Sequence, residues 1–423
     1  MGFEVRSITK RDGGRFHLLF HEQPYAPVRL PFQYMTLTGQ QKYTDGSCSV
    51  MCRVLKDLYT YCYCIADIDL ETQLLSGKTM TADQIVGFAS WLRLGRKLPT
   101  NVVARIGMAE EDDDILAHGT FSTYLHFVKE YLAWSALTFI PENRHFRDVE
   151  KTFDDVKSRL EAVFRNFQIK AKKPKHTKGL DRNQKRKLLS VADPASPLNP
   201  FKGEVTRYRN WMIIKLLLAT GMRRAEILCS YTEDAPDFRF GNKWKVVRRN
   251  PIPEDRRKPL PKIKTEEREI ALTEAESEMV KKYKDKYRWV YKKDASGKVT
   301  KSKPSHPFFL ISTQGGTPLS LDSINKMLKE YKDAAFHDVD IELHPHILRN
   351  TFCNEYLEEA IDIRGEDVTL AVDNLRRVCG WSSKSEMPAL YAAKWHRKKS
   401  DDVNVERLKR EHREAQQGVK HGK

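Results

Sequence analysis

Ten lysines or arginines lie between Arg165 and Lys187 against the single acid Asp181, and Pro174 and Gly179 fall inside the run. Proline and glycine there break any long helix through the run. The stretch therefore divides the chain. A length of 423 residues suits about two to three domains with cores of their own. We expect a strand-rich appendage over 1–38, a helical domain over 39–168, a basic linker over 169–187, a larger domain over 188–400 and a polar tail over 401–423.

The periodicities fill in these parts. Phe16 to Phe20 follows an Asp12-Gly13-Gly14 turn and reads as a strand. From Thr44 the apolar spacing turns helical, with Asp45 or Ser47 placed to cap a helix that points Val50, Val54, Leu55, Leu58 and Cys62 inward. Further helices are predicted after Thr81, with Ile85, Phe88, Ala89 and Leu92 inward, and over 121–137 and 146–167. Beyond the linker, Asn210 to Ala219 reads as an apolar helix stopping at Gly221. Trp244 to Arg248 and Arg268 to Leu272 read as strands flanking a proline-rich basic stretch. Helices are expected over 273–291, 320–336, 346–360 and 367–379, with a loop over 292–305.

Charge narrows the partner. Lys plus Arg number 74 against 57 Asp plus Glu, a formal charge of +17. Such a surface presents a large positive field to a polyanion, and nucleic acid is the first expectation. An anionic membrane is the weaker partner: no apolar run reaches the ~18 residues of a membrane span, and even Trp211 to Ala219 is cut by Lys215. The first ten residues carry charge without an apolar core, so we expect no export and a cytoplasmic, DNA-associated protein. A charge run is ordinarily a solvated face, but a basic bridge between domains also suits the crossing of a DNA backbone, so Lys170, Lys172, Lys173, Lys175 and Lys178 are candidate DNA contacts. Seven cysteines, an odd number, make a disulfide framework improbable. Cys48, Cys52, Cys62 and Cys64 are crowded, but the one-residue gap of the last two points their side chains apart on a helix, and we expect small buried residues rather than a metal site.

The chemistry-bearing residues lie further on. Thr220-Gly221-Met222-Arg223-Arg224-Ala225-Glu226-Ile227 places an arginine just past a glycine, and Lys262-Ile263-Lys264-Thr265 follows. Pro345-His346-Ile347-Leu348-Arg349-Asn350-Thr351-Phe352 puts His346 and Arg349 at i, i+3, on one helical face. Gly380-Trp381-Ser382-Ser383 precedes Tyr391, which stands 42 positions after Arg349. Two arginine forks neutralise the non-bridging oxygens of a phosphodiester and stay charged, a lysine among arginines can protonate a leaving oxygen, and a phenol can attack phosphorus. An unassisted phenol, with a pKa near ~10, needs nearby cations to do so.

That order of Arg, Lys, His-x-x-Arg, Trp and Tyr resembles the tyrosine recombinase, or phage integrase, family. The specific motifs begin at about residue 220; the helical domain matches in texture alone, and residues 1–38 match nothing. The resemblance implies a mainly α fold with a small β-sheet, an α+β catalytic domain and a helical core-binding domain forming a C-shaped clamp. It makes Arg223, Lys264, His346, Arg349, Trp381 and Tyr391 the catalytic set and Glu226 a buttress. Arg224 and His344 are adjacent alternatives outside the motif positions, and Lys258 and Lys262 compete with Lys264. Asn350 departs from the His often found there, with little consequence expected. Trp381 occupies a position held by His in many members.

The implied activity is site-specific recombination of a mobile element by integration, excision or resolution. Tyr391 forms a 3′-phosphotyrosyl bond, with neither ATP nor metal required, in a homotetramer on two double-stranded DNA sites, with an accessory directionality factor as a further partner. A related topoisomerase or telomere resolvase shares these residues without the exchange step. A non-catalytic DNA-binding regulator would keep the clamp but has no use for the phenol.

Overall fold

The computed structural model describes residues 2–96, 116–139, 146–167, 179–237, 241–293 and 299–421. Lys170, Lys172, Lys173, Lys175 and Lys178 lie outside them. The chain divides into two compact units, residues 1–175 with 250–253, and 176–249 with 254–423.

In the first unit, β1 (Phe3–Thr9) pairs antiparallel with β2 (Arg15–His21), which pairs with β3 (Ala26–Pro27). Helices α1 (Arg29–Tyr34), α2 (Asp45–Cys64), α3 (Leu70–Leu75), α4 (Ala82–Arg93), α5 (His118–Thr138) and α6 (Phe146–Asn166) follow. The strands expected as an appendage share one core with the helices: Phe3, Leu19 and Val28 are buried with Leu55, Leu58 and Tyr131. His17, Leu18 and Leu19 are buried in succession on β2, so both faces of the strand are covered. Asp45, one of the expected caps, is instead the first residue of α2; the N-cap is Thr44, whose side chain makes no capping bond to the backbone. Thr81 closes a reciprocal capping box with Gln84 on α4, an arrangement typically worth ~1 kcal/mol. Cys48, Cys52 and Cys62 are buried and Cys64 is exposed.

The second unit opens inside the stretch assigned to the linker. Asp181 caps α7 (Arg182–Ala192) in a box with Gln184, so residues 182–187 are helical rather than connecting chain; the Asp181 carboxylate accepts from the Gln184 N–H, one of the free donors at the helix start. Next come α8 (Glu204–Thr220), α9 (Arg224–Cys229) and an antiparallel pair, β4 (Lys243–Val246) with β5 (Arg268–Ala271). The helix expected over 273–291 is shorter. Helix α10 (Glu274–Lys282) loosens into a π turn at Tyr283–Tyr287, and the expected loop beyond it holds a hairpin, β6 (Val290–Lys293) with β7 (Val299–Ser302). Valines at 290 and 299 favour strand where charge alone suggested coil. Helices α11 (Leu321–Ala335), α12 (Pro345–Leu357) and α13 (Val368–Cys379) precede α14, which runs from Met387 to His421 through the segment expected as a tail.

Two cores form here. The larger packs α8 against α11, α12 and the β4–β5 pair through Ile213, Leu217, Trp244, Leu328 and Leu348. The smaller joins α12, α13 and α14 through Cys353, Leu357, Leu375, Cys379, Trp381 and Tyr391. The seam between them, at Arg349, is where the polar groups collect.

Candidate active site

Gly221 ends α8 at φ 60°, and a Cβ there would meet the Phe352 ring at 2.2 Å. Only glycine permits that left-handed turn and close approach. The chain then bends into α9, with Arg223 at its N-cap. Gly380 does the same for α13 at φ 62°, where a Cβ would lie 2.6 Å from Arg268 Nη1. These two helix ends bring Arg223 and Trp381 toward α12, which carries His346 and Arg349.

Glu226 is the electrostatic centre. Its side chain is 1 % exposed and accepts from Arg268 Nη2 at 2.7 Å, Thr265 Oγ1 at 2.7 Å and the Arg223 backbone N–H at 3.2 Å, with Arg223 Nη1 at 3.5 Å. Burial alone would raise its pKa, but the Arg268 and Arg349 charges and these hydrogen bonds hold it below the usual carboxylate range. A carboxylate so held fixes three segments at once: the start of α9, the residue after Lys264, and β5. Burial, and then the Arg349 charge, lowers the Arg223 pKa. The two guanidiniums are thus close enough to repel, and an anion placed between them relieves that repulsion.

Arg349 is 2 % exposed. Its Nη2 donates to the Cys379 carbonyl at 2.9 Å and its Nη1 to the Gly221 carbonyl. The guanidinium also stands 4.9 Å from the centre of the Trp381 ring, and Tyr391 stacks on that ring at 5.6 Å and 23°. Trp381 Nε1 is buried with no hydrogen-bond partner, an orphaned donor that costs stability unless a ligand completes it. His346 reaches solvent at the start of α12. Desolvation, then the charges of Arg223, Arg349, His344 and Arg224, push its pKa below the ordinary histidine value. His344 is the N-cap of α12, with its ring 6.4 Å from that of His346.

Lys264 is exposed between buried Ile263 and Thr265 in the connection from β4 to β5. The same connection is anchored by a buried Arg257–Asp255 pair at 2.7 Å, with Arg257 donating to the Leu228 and Leu319 carbonyls. Of the three competing lysines, Lys264 is the one adjacent in sequence to a Glu226 partner. Lys258 and Lys262 are exposed further back along the strand of chain.

Tyr391 is 2 % exposed, and its hydroxyl donates to Asn350 Oδ1 at 2.5 Å. Burial and the neighbouring Cys353 thiol raise the phenol pKa far above its ordinary value, against an opposing pull from Arg349. Cys353 and Cys379 lie beside it with sulfurs 3.6 Å apart. Sequence reasoning expected little consequence of Asn350 and gave no site role to Arg268, Thr265 or this thiol pair. The polar residue one step from Arg349 was the available signal for Asn350; Arg268 had none, because its role depends on a partner 42 residues away. Among the described residues, no group of three or more His, Cys, Asp or Glu is arranged to hold a metal.

The model of the phage integrase family matches residues 178–395. The tyrosine recombinase XerA of Thermococcus kodakarensis is 28% identical over 272 residues, covering 60% of this chain and 81% of the relative. The tyrosine recombinase XerC of Bacillus pumilus is 27% identical over 190 residues, covering 45% and 52%. Among solved structures, the Tn1549 transposon integrase in complex with a circular intermediate DNA aligns at 15% identity over 82% of this chain and 98% of that one, with a TM-score of 0.41. The XerH site-specific recombinase bound to difH aligns at 15% identity over 86% and 90%, with a TM-score of 0.43.

Proposed function

The chain belongs to the phage integrase family, and from that membership we propose that it cuts and rejoins DNA through Tyr391, with the groups around Arg349 serving the transferred phosphoryl group. It is a site-specific DNA recombinase. In the cleavage step the Tyr391 oxygen forms a bond to the scissile phosphorus and the bond to the 5′-oxygen breaks, leaving a 3′-phosphotyrosyl ester and a free 5′-hydroxyl. His346 takes the phenolic proton, and Lys264 supplies one to the departing oxygen. Arg223 and Arg349 bracket the non-bridging oxygens, and the unpartnered Trp381 N–H donates to one of them. One phosphoester replaces another, so the reverse step rejoins strands without an energy source.

The observation that carries this reading is the stack in which Trp381 joins Arg349 to Tyr391, putting the nucleophile beside the phosphate-binding cation. Four protomers on two DNA sites, an accessory factor setting direction, and the exposed distal part of α14 reaching a neighbouring protomer complete the proposal. The test is incubation of wild type and Tyr391→Phe, with EDTA present, on supercoiled DNA bearing the flanking sequence of the gene. A covalent adduct that maps to Tyr391 in wild type and is missing from the Phe variant is expected. DNA binding without an adduct in either protein would instead favour a non-catalytic regulator.

A further inference from the structure

The hydrogen bond from Tyr391 to Asn350 belongs to a two-rung contact between α14 and α12. One turn along, Lys394 Nζ donates to Asn354 Oδ1 at 3.3 Å, so residues 350 and 354 of one helix receive residues 391 and 394 of the other. Asn350 is 8 % exposed. Its amide oxygen accepts a hydrogen bond but does not take a proton near neutral pH. An acceptor facing a phenol stabilises the protonated form and opposes the phenolate. A histidine at this place could take up and relay the proton; asparagine leaves it on the phenol.

From this geometry we infer that Asn350 is a positioning residue that latches Tyr391 in a buried, protonated resting state, and that DNA cleavage requires this hydrogen bond to open. The inference rests on Tyr391 being the nucleophile. The charged and titrating groups facing the phenol are Arg349 and Cys353 on α12 and Cys379 at the end of α13. Arg349 favours the phenolate and the buried Cys353 opposes it, so the Asn350 contact is set against the same cation that would stabilise the attacking form. Docking of a phosphate against Arg349 and Trp381 would draw the hydroxyl away from the amide and toward phosphorus.

The measurement is the first-turnover rate of covalent adduct formation against pH, on duplex DNA bearing the flanking sequence of the gene, for wild type, Asn350→Ala, Asn350→Asp and Tyr391→Phe. Asn350→Ala is expected to speed adduct formation at pH 7 about fivefold, the worth of one ordinary hydrogen bond, and to move the alkaline rise of the profile to lower pH. Asn350→Asp keeps the shape while adding a negative charge, so it should slow the reaction and move the rise the other way; it decides the matter if the alanine variant fails to fold. The same shifts should persist in a Cys353→Ser background, separating phenol from thiol titration. Profiles that coincide with wild type, or rates that fall without any shift in pH, would reduce Asn350 to packing and overturn the latch. Absence of any adduct in wild type would overturn the Tyr391 assignment itself, and the latch with it.

Discussion

Glu226 shows how one buried carboxylate organises a cationic site. It is nearly inaccessible, yet it keeps its charge because Arg268, Thr265 and Arg223 surround it. Its folded pKa lies below the unfolded value, so the stability it contributes is fully present above the unfolded glutamate pKa of ~4.3 and is lost as pH falls through the folded value. Urea unfolding of wild type should therefore weaken in the acid range below that point. Glu226→Gln removes the charge and leaves buried arginines without their counter-ion, so it is expected to lower stability at pH 7 by ~3 kcal/mol or more and to flatten the acid dependence. Equal slopes for the two proteins in acid would show that the carboxylate is not ionised in the fold.

At the scale of elements, two helix ends close around the residues that α12 and α14 carry. Gly221 closes α8 and offers its carbonyl to Arg349, while Gly380 closes α13 and offers its own to the Glu266 backbone N–H at 3.0 Å. Gly221→Ala must place a methyl against Phe352 and hold a left-handed backbone, a conformation costing ~1–3 kcal/mol by itself. We expect a loss of at least that size in chemical denaturation, with adduct formation falling further than stability because Arg223 and the Arg349 acceptor move together. An alanine variant as stable as wild type would mean that α8 ends elsewhere. The hairpin at Val290–Ser302 illustrates the opposite case, a surface element that positions none of the site residues and that charge concealed in the sequence.

For the whole molecule, the excess of 17 positive charges makes association with DNA an ion-exchange process. Each phosphate neutralised releases condensed counter-ions, so affinity should fall by ~10³ or more between 50 and 200 mM salt if about six phosphates are contacted. A filter-binding or fluorescence titration across that range tests it, and a nearly flat salt response would remove phosphate contact as the source of affinity. No helix among the described residues is long and apolar enough to cross a membrane.

Much of this was legible in the chain itself, for local reasons. Periodicity located α2 and α4, the apolar run located α8, which is buried around most of its circumference, and i, i+3 spacing put His346 and Arg349 on one turn. The chemistry of side chains singled out Arg223, Lys264, His346, Arg349, Trp381 and Tyr391 as candidates, because few residue types suit a phosphoryl oxygen. Tertiary structure alone decided what depends on partners distant in sequence: that Phe3 and Leu19 share a core with helices, that Arg268 neutralises Glu226, and that Asn350 holds the hydroxyl of Tyr391. Periodicity reports how a segment meets its own neighbours, whereas a hydrogen bond between residues some forty positions apart exists only once the helices carrying them have packed.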